Sequence, residues 1–237
     1  MAYGTESIPK VDKIFGPGNT YVTLAKQIIL TESQTSIDMP AGPSEVLVIA
    51  DLNSNPDFIA SDLLAQAEHG PDSQVVLVST RIEMVDQVEK AIQKQLESLS
   101  RASVARKALE NSFSLLVENL DQAIEFSNHY APEHLIFSVP DFEPWLQKIS
   151  TAGSVFLGPY SPEAAGDYAS GTNHTLPTSG YARMYSGVSV DSFTKNISFQ
   201  ALSPSGLQLL GPAVETLADM EGLDAHAQSI TIRLKSL

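Results

Sequence analysis

From Glu45 to Gly158 the chain alternates short apolar runs with stretches whose apolar residues recur at helical spacing. That alternation is the signature of strand and helix units wound around a mostly parallel sheet. EVLVIA at 45–50 is the first run. Asn55 then reads as an N-cap with Pro56 at the first helical position, and Phe58, Ile59, Leu63 and Ala67 follow at helical spacing until Gly70 and Pro71 stop the helix. QVVLVS at 74–79 is the second strand, and the helix after it aligns Ile82, Val85, Val88, Ile92 and Leu96 on one face. FSLLVE at 113–118 leads into LDQAIEFSNHY, HLIFSV at 134–139 into FEPWLQKI, and SVFLG at 154–158 closes the series. The pattern predicts an α/β fold of five strands and four helices, with both faces of the sheet buried.

After Gly158 the periodicity stops. YSPEAAGDYASGTNHTLPTSGYARMYSG is rich in Gly, Ser, Thr and Pro, and structureless stretches of that length in compact domains are usually functional. The tail turns helical again over 202–220 and 221–237, which predicts a small C-terminal helical domain. Before Glu45 only one short stretch reads as helix.

Charge and composition narrow the chemistry. Among 237 residues, 28 acidic side chains face 14 basic ones, a net charge of -14 with no basic cluster longer than a pair. Such a chain repels a phosphate backbone, which argues against nucleic acid as a partner. There is no cysteine, so disulfides, thiolate zinc sites and cysteine nucleophiles are excluded, and any metal must be held by His, carboxylate or amide groups. No apolar run approaches the roughly 20 residues of a membrane span. MAYGTESIPKVDKIFGPGN has neither the apolar core of a signal peptide nor the Arg-rich pattern of a transit peptide.

Several residues stand where chemistry could sit. Gln66 and His69 project from neighbouring points near the end of one helix, a geometry that suits two ligands on one ion. A histidine capping the last carbonyls is the competing reading. Glu133 and His134 meet at an element boundary set by Pro132, which pushes Ala131 out of the helical region. Histidine shuttles protons near neutral pH and a glutamate can activate water. Adjacent residues of a strand face opposite ways, so the two share a site only if the backbone bends. Asp167 and His174 fall in the Gly-rich stretch, where an Asp can equally cap a turn. His226 lies on the last helix, and Glu221 reads as a first-turn charge favoured by the helix dipole. GPGN at 16–19 lacks the spaced glycines of a dinucleotide fingerprint. Ser44 precedes its strand, so it is no nucleophile elbow.

Taken together, FGPGN, DMPAGPSEVLVIAD, DLLAQAEHGPDSQ, APEHLI, AGSVFLG, SPEAAGDYASGTNHTLPT and EGLDAH resemble the histidinol dehydrogenase family, in order and almost end to end. YARMYSGVS is more similar to the plant form. The resemblance implies a Rossmann-like sheet in an NAD- and zinc-dependent homodimer with shared active sites. Such an enzyme oxidises L-histidinol through L-histidinaldehyde to L-histidine, the last two steps of histidine biosynthesis. By matching motif it implies Gln66, His69, Asp167 and His226 as ligands of one zinc ion per subunit. It implies His134 as the base for the alcohol proton and Glu133 as the base that activates water. Ser44, His174 and Glu221 are then substrate contacts, with His134 and the four zinc ligands also touching substrate, and Asn19 contacts NAD.

The expected organisation is a remnant of a second, NAD-binding domain over 1–40, a catalytic domain over 41–190, and a tail over 191–237 that reaches the partner subunit's site. Family chains are longer at the N-terminus, so this one is expected to be a C-terminal portion with an incomplete NAD site. Its setting would be the cytoplasm for a bacterial enzyme or the plastid stroma for a plant one. Two other readings remain open: a non-catalytic zinc- or histidinol-binding fragment, and a metal hydrolase using Glu133, for which no HExxH-like spacing exists.

Overall fold

In the computed structural model, which describes residues 1–237, all six residues of EVLVIA are buried. Val46, Val48 and Ala50 face one side of the sheet, and Leu47 and Ile49 the other. This strand is therefore central, and the rest of the first unit is arranged around it. In chain order the elements are β1 (Lys13–Ile14), α1 (Thr20–Glu32), β2 (Ser36–Ile37), β3 (Glu45–Ala50), α2 (Pro56–Ala67), β4 (Gln74–Ser79), α3 (Ile82–Leu96), α4 (Ala102–Glu110), β5 (Phe113–Leu116), α5 (Leu120–Tyr130), β6 (His134–Phe137), β7 (Ser154–Leu157) and α6 (Glu163–Tyr168). A second compact unit, Thr194–Leu237, contains α7 (Pro204–Met220) and α8 (Asp224–Lys235).

The main sheet is entirely parallel, in the order β5-β4-β3-β6-β7. Chain direction through the sheet reverses between β3 and β6. Buried residues of α2, α3 and α4 cover the face of Val46 and Val48, while α5 and the segment around Trp145 cover the face of Leu47 and Ile49. The α/β architecture, the parallel sheet and the helical tail agree with the sequence pattern. β1 and β2 form a separate parallel pair.

Three details differ. α4 is an additional helix: its buried contacts are Ala105 and Ala108, too small to stand out as an apolar stripe. FEPWLQKI is a 3₁₀ turn over Glu143–Lys148 rather than an α-helix, closed by bonds such as Trp145 N–H to the Phe142 carbonyl (3.0 Å). Pro144 has no N–H to extend it. The Gly-rich stretch after residue 158 is also not structureless, because it folds α6 and a 3₁₀ turn over Tyr181–Arg183.

The N-cap read at Asn55 holds, and the structure adds one at Asn119. Asn55 accepts from Asp57 N (2.9 Å), and Asn119 caps α5 through Gln122 N (3.0 Å). α5 ends at Ala131 in the left-handed region (φ 56°), a conformation that costs a non-glycine residue roughly 1–2 kcal/mol. In the second unit, Gly211 lets α7 and α8 cross closely: a Cβ there would lie 2.8 Å from Leu234 Cδ1. No helix of the chain is long and apolar enough to cross a membrane.

Candidate functional site

Parallel α/β sheets usually bind ligands at the carboxyl ends of their strands. Here the polar side chains gather at the amino ends. Glu45 opens β3 and His134 opens the adjacent β6, with Val46 in register with His134. α2 returns antiparallel to the strands, so its C-terminal turn brings Gln66 and His69 to the same end.

His134 is buried, and its Nδ1 lies 3.3 Å from the Glu45 carbonyl oxygen. A carbonyl only accepts, so Nδ1 carries the proton and donates it. Nε2 is then the bare acceptor of the ring, and it has no hydrogen-bond partner. Burial pushes the imidazole down to about 4, and His69 and His174 push the same way against the Glu45 carbonyl and Asp167. The ring is neutral at physiological pH.

Glu133, one residue ahead of β6, places Oε2 3.5 Å from His134 Nδ1. The bend that the sequence required is supplied by left-handed Ala131 and by Pro132. Glu133 Oε2 also accepts from Glu45 N (3.0 Å). Burial pushes its carboxyl up to about 9, and the charges of Glu163, Glu45 and Asp167 push the same way. Gly153 makes the local packing possible: a Cβ there would sit 2.6 Å from the Glu133 carbonyl oxygen.

α6 supplies Glu163 and Asp167, one helical turn apart on one face. His69, Glu163 and Asp167 each bring one potential ligand atom within 4.8 Å of the others. Glu163 is buried, and its Oε1 lies 3.6 Å from His134 Nδ1. Burial, with Asp167 and Asp62, pushes its carboxyl up to about 8. Sequence reasoning missed this residue, although it sits in SPEAAGD, and the available signal was its four-residue spacing from Asp167. Gly166 lets α6 approach the sheet, since a Cβ there would lie 2.6 Å from Phe156.

A cavity of about 200 Å³ is lined by Gly18, Ser44, His69, Glu133, His134, Glu163, Asp167 and His174, among others. A neighbouring cavity of about 260 Å³ shares Ser44 and His69 and adds Asn19. Asn19 also caps α1, accepting from Tyr21 N (3.1 Å) and Val22 N (3.2 Å). Gln66 is fully buried and lines neither cavity directly. Its hydrogen-bonding environment assigns Nε2 as donor to Glu163 Oε1 (2.6 Å) and Oε2 (3.1 Å). Glu68 is the C-cap of α2, and His69 follows it with its backbone N–H on the Gln66 carbonyl (3.2 Å).

Eight of the sequence candidates therefore lie in the first unit: Asn19, Ser44, Gln66, His69, Glu133, His134, Asp167 and His174. Glu221 and His226 belong to the second. Glu221 closes α7 as its C-cap and is exposed, so the helix dipole disfavours its charge instead of favouring it as a first-turn position would. His226 is exposed in the first turn of α8.

A parallel α/β domain that buries a neutral histidine among three carboxyls, beside a cluster of metal-type donors, defines an enzyme-like class with general-base and metal-binding chemistry. A sequence model of the histidinol dehydrogenase family matches residues 1–234, and the chain belongs to that family. The chloroplastic histidinol dehydrogenase of Arabidopsis thaliana is 59% identical over 100% of this chain and 51% of its own length. The Vibrio vulnificus (strain CMCP6) enzyme is 57% identical, with 100% and 55% covered. The crystal structure of histidinol dehydrogenase from Elizabethkingia anophelis superposes with a TM-score of 0.96 at 56% identity, covering 100% of this chain and 54% of that one. The chain thus spans about half the length of the relatives it matches.

Proposed function

We propose that this chain carries the catalytic residues of an NAD- and zinc-dependent oxidation of L-histidinol, through L-histidinaldehyde, to L-histidine. The observation that carries the reading is His134, held neutral with its proton on Nδ1 and its bare Nε2 unpartnered. That is the state a general base needs before an alcohol proton can be removed. As the carbinol carbon gives up a hydride, Nε2 takes the hydroxyl proton and the aldehyde forms. Glu133, ionised when a cation in the cavity offsets its burial, is placed to take a proton from the water that adds to the aldehyde carbon. The resulting hydrate gives a second hydride to a second NAD while a hydroxyl proton passes to His134 Nε2, and the carboxylic acid so formed releases its remaining proton to water as the carboxylate.

The donor set fits zinc: an imidazole from His69 and a carboxylate oxygen from Asp167 lie within one ion's reach, with no thiolate. Gln66 and His226 complete the proposed ligand set, His226 from a partner subunit in a homodimer to which Glu221 also contributes. Bound zinc would orient the substrate and polarise its hydroxyl. NAD, the hydride acceptor, would lie on the Asn19 side, and residues 1–40 would be the edge of its domain. Ser44 and His174 line the cavity where they can contact substrate.

The test is elemental analysis of the purified chain for zinc, with NADH formation followed on adding L-histidinol and NAD. Turnover lost in His134→Ala and zinc lost in His69→Ala support the reading. Zinc binding without turnover favours a binding-only portion, and zinc-dependent ester hydrolysis favours the hydrolase. Neither zinc nor turnover sinks all three.

A further inference from the structure

The geometry points to Glu163 as a positioning residue that selects which atom of Gln66 faces the metal, a role that rests on the metal reading above. A glutamine amide has two ends of nearly equal size. Only the carbonyl end ligates a cation, because a protonated amide nitrogen has no lone pair to give. In a buried site, something must choose between the ends. Glu163 Oε1 and Oε2 both accept from Gln66 Nε2, at 2.6 and 3.1 Å, and an ionised carboxylate, the form a cation in the cavity favours, has no proton to give to the oxygen end. The nitrogen is thereby held on Glu163, and Oε1 is the atom left free to coordinate.

The lock is itself rigid. Gln66 is fully buried and Glu163 is 3% exposed, so neither side chain has room to exchange partners with water. Glu163 Oε1 also lies 3.6 Å from His134 Nδ1, so one carboxylate touches both the ligand side and the base side of the cavity. Glu163 falls within reach of His69 and Asp167 as well, which makes direct ligation the competing role. The two roles differ in what they predict: direct ligation makes the loss of Glu163 costly with or without Gln66, and positioning makes it costly only when Gln66 is present.

A double-mutant cycle on the full chain separates the roles, with Co²⁺ affinity and the Co²⁺ absorption spectrum as readouts. The isosteric Glu163→Gln gives Gln66 a partner that no longer dictates orientation. It should weaken Co²⁺ binding about 10- to 100-fold, the usual range for residues that orient a ligand. Once Gln66→Ala has removed the amide, E163Q should cause no further loss. Swapping the pair, Q66E with E163Q, should recover most of the affinity, because a carboxylate offers oxygen at both ends. Unchanged affinity and spectrum in E163Q overturn the proposal, as does an equal E163Q loss with and without Gln66. If E163Q does not fold, the Q66E/E163Q chain decides: restored folding with tight Co²⁺ supports the lock, and weak Co²⁺ overturns it. His69→Ala is the separate check on the metal reading: a wild-type chain whose Co²⁺ binding does not depend on His69 removes that reading, and this proposal with it.

Discussion

Glu45 and Glu133 are joined reciprocally: the backbone N–H of each donates to the side-chain carboxylate of the other, at 3.0 and 3.3 Å. The Glu45 carboxylate also accepts from Ser179 N (3.0 Å) and Tyr130 OH (3.4 Å). Glu45 thus ties the start of β3, the start of β6 and the loop at 178–180 together beneath the candidate base. Glu45→Ala should leave buried donors unmet and cost about 1–3 kcal/mol, read as a lower urea midpoint. Turnover should fall further than stability alone explains, because Glu133 loses its anchor. An E45A chain with full activity would sink this role.

Two residues of that network carry backbone strain. Ala131 and Ser179 are the non-glycine residues with left-handed φ, each at 56°, and such outliers persist where the surroundings over-determine them. Ala131→Gly should relieve about 1 kcal/mol of strain, offset in part by glycine's greater unfolded freedom, so the thermal midpoint should hold or rise. Gly153→Ala should do the opposite. Its Cβ would meet the Glu133 carbonyl at 2.6 Å, and the expected result is lower stability together with reduced turnover.

The buried carboxyls make stability depend on pH in a defined direction. Glu133 is held at about 9, Glu163 at about 8 and Asp62 at about 7, each by burial foremost. Unfolded carboxyls titrate near 4, so the folded chain holds extra protons over that interval. The stability these groups contribute is fully present below the unfolded values and is lost as pH rises through the folded ones. His134, lowered to about 4 from 6.5, acts the other way, and its contribution is lost as pH falls through that window. Above pH 6.5 only the carboxyls remain, and the urea midpoint of metal-free protein should decline toward pH 9. Saturating Zn²⁺ should flatten the decline, because a cation in the cavity favours the ionised carboxylates. A midpoint that climbs over this range would refute the assignment.

A buried ion pair braces the glycine-rich turn ahead of α1. Lys26 and Asp38 pair with side chains 6% and 1% exposed. Lys26 Nζ donates to the Gly16 carbonyl (2.9 Å), and Asp38 Oδ2 accepts from Gly16 N (2.8 Å). Lys26→Met strands a buried charge and should destabilise by about 3–5 kcal/mol. K26M combined with Asp38→Asn should recover part of that. Equal unfolding midpoints for the single and double variants would show that the pair does not hold the turn.

The sheet was legible because its physics is local. Runs such as QVVLVS must be buried, and Asn55 with Pro56 marks a helix start without outside information. α4 escaped because alanines make a quiet interface, and the 3₁₀ turn at 143–148 because six residues do not separate the two helix types. At the site, His134 and Asp167 were visible as residue types in conspicuous surroundings. Glu45 was not, since a glutamate heading a strand reads as a solvated end, and only the fold brings Glu133, Tyr130 and Ser179 to it. Glu163 was hidden for the same reason. Its partner Gln66 lies 97 positions away in the chain, and no spacing rule connects them.

The His134 proton rests on a main-chain carbonyl. Many histidine bases depend on an aspartate or glutamate side chain to fix the ring, so a single substitution can strand them in the wrong tautomer. Here the acceptor is the peptide unit of Glu45, which every residue type at that position would provide. The identity of the basic nitrogen is therefore inherited from strand pairing itself. It should survive any side-chain replacement that leaves β3 and β6 in register, and fail only when that register slips.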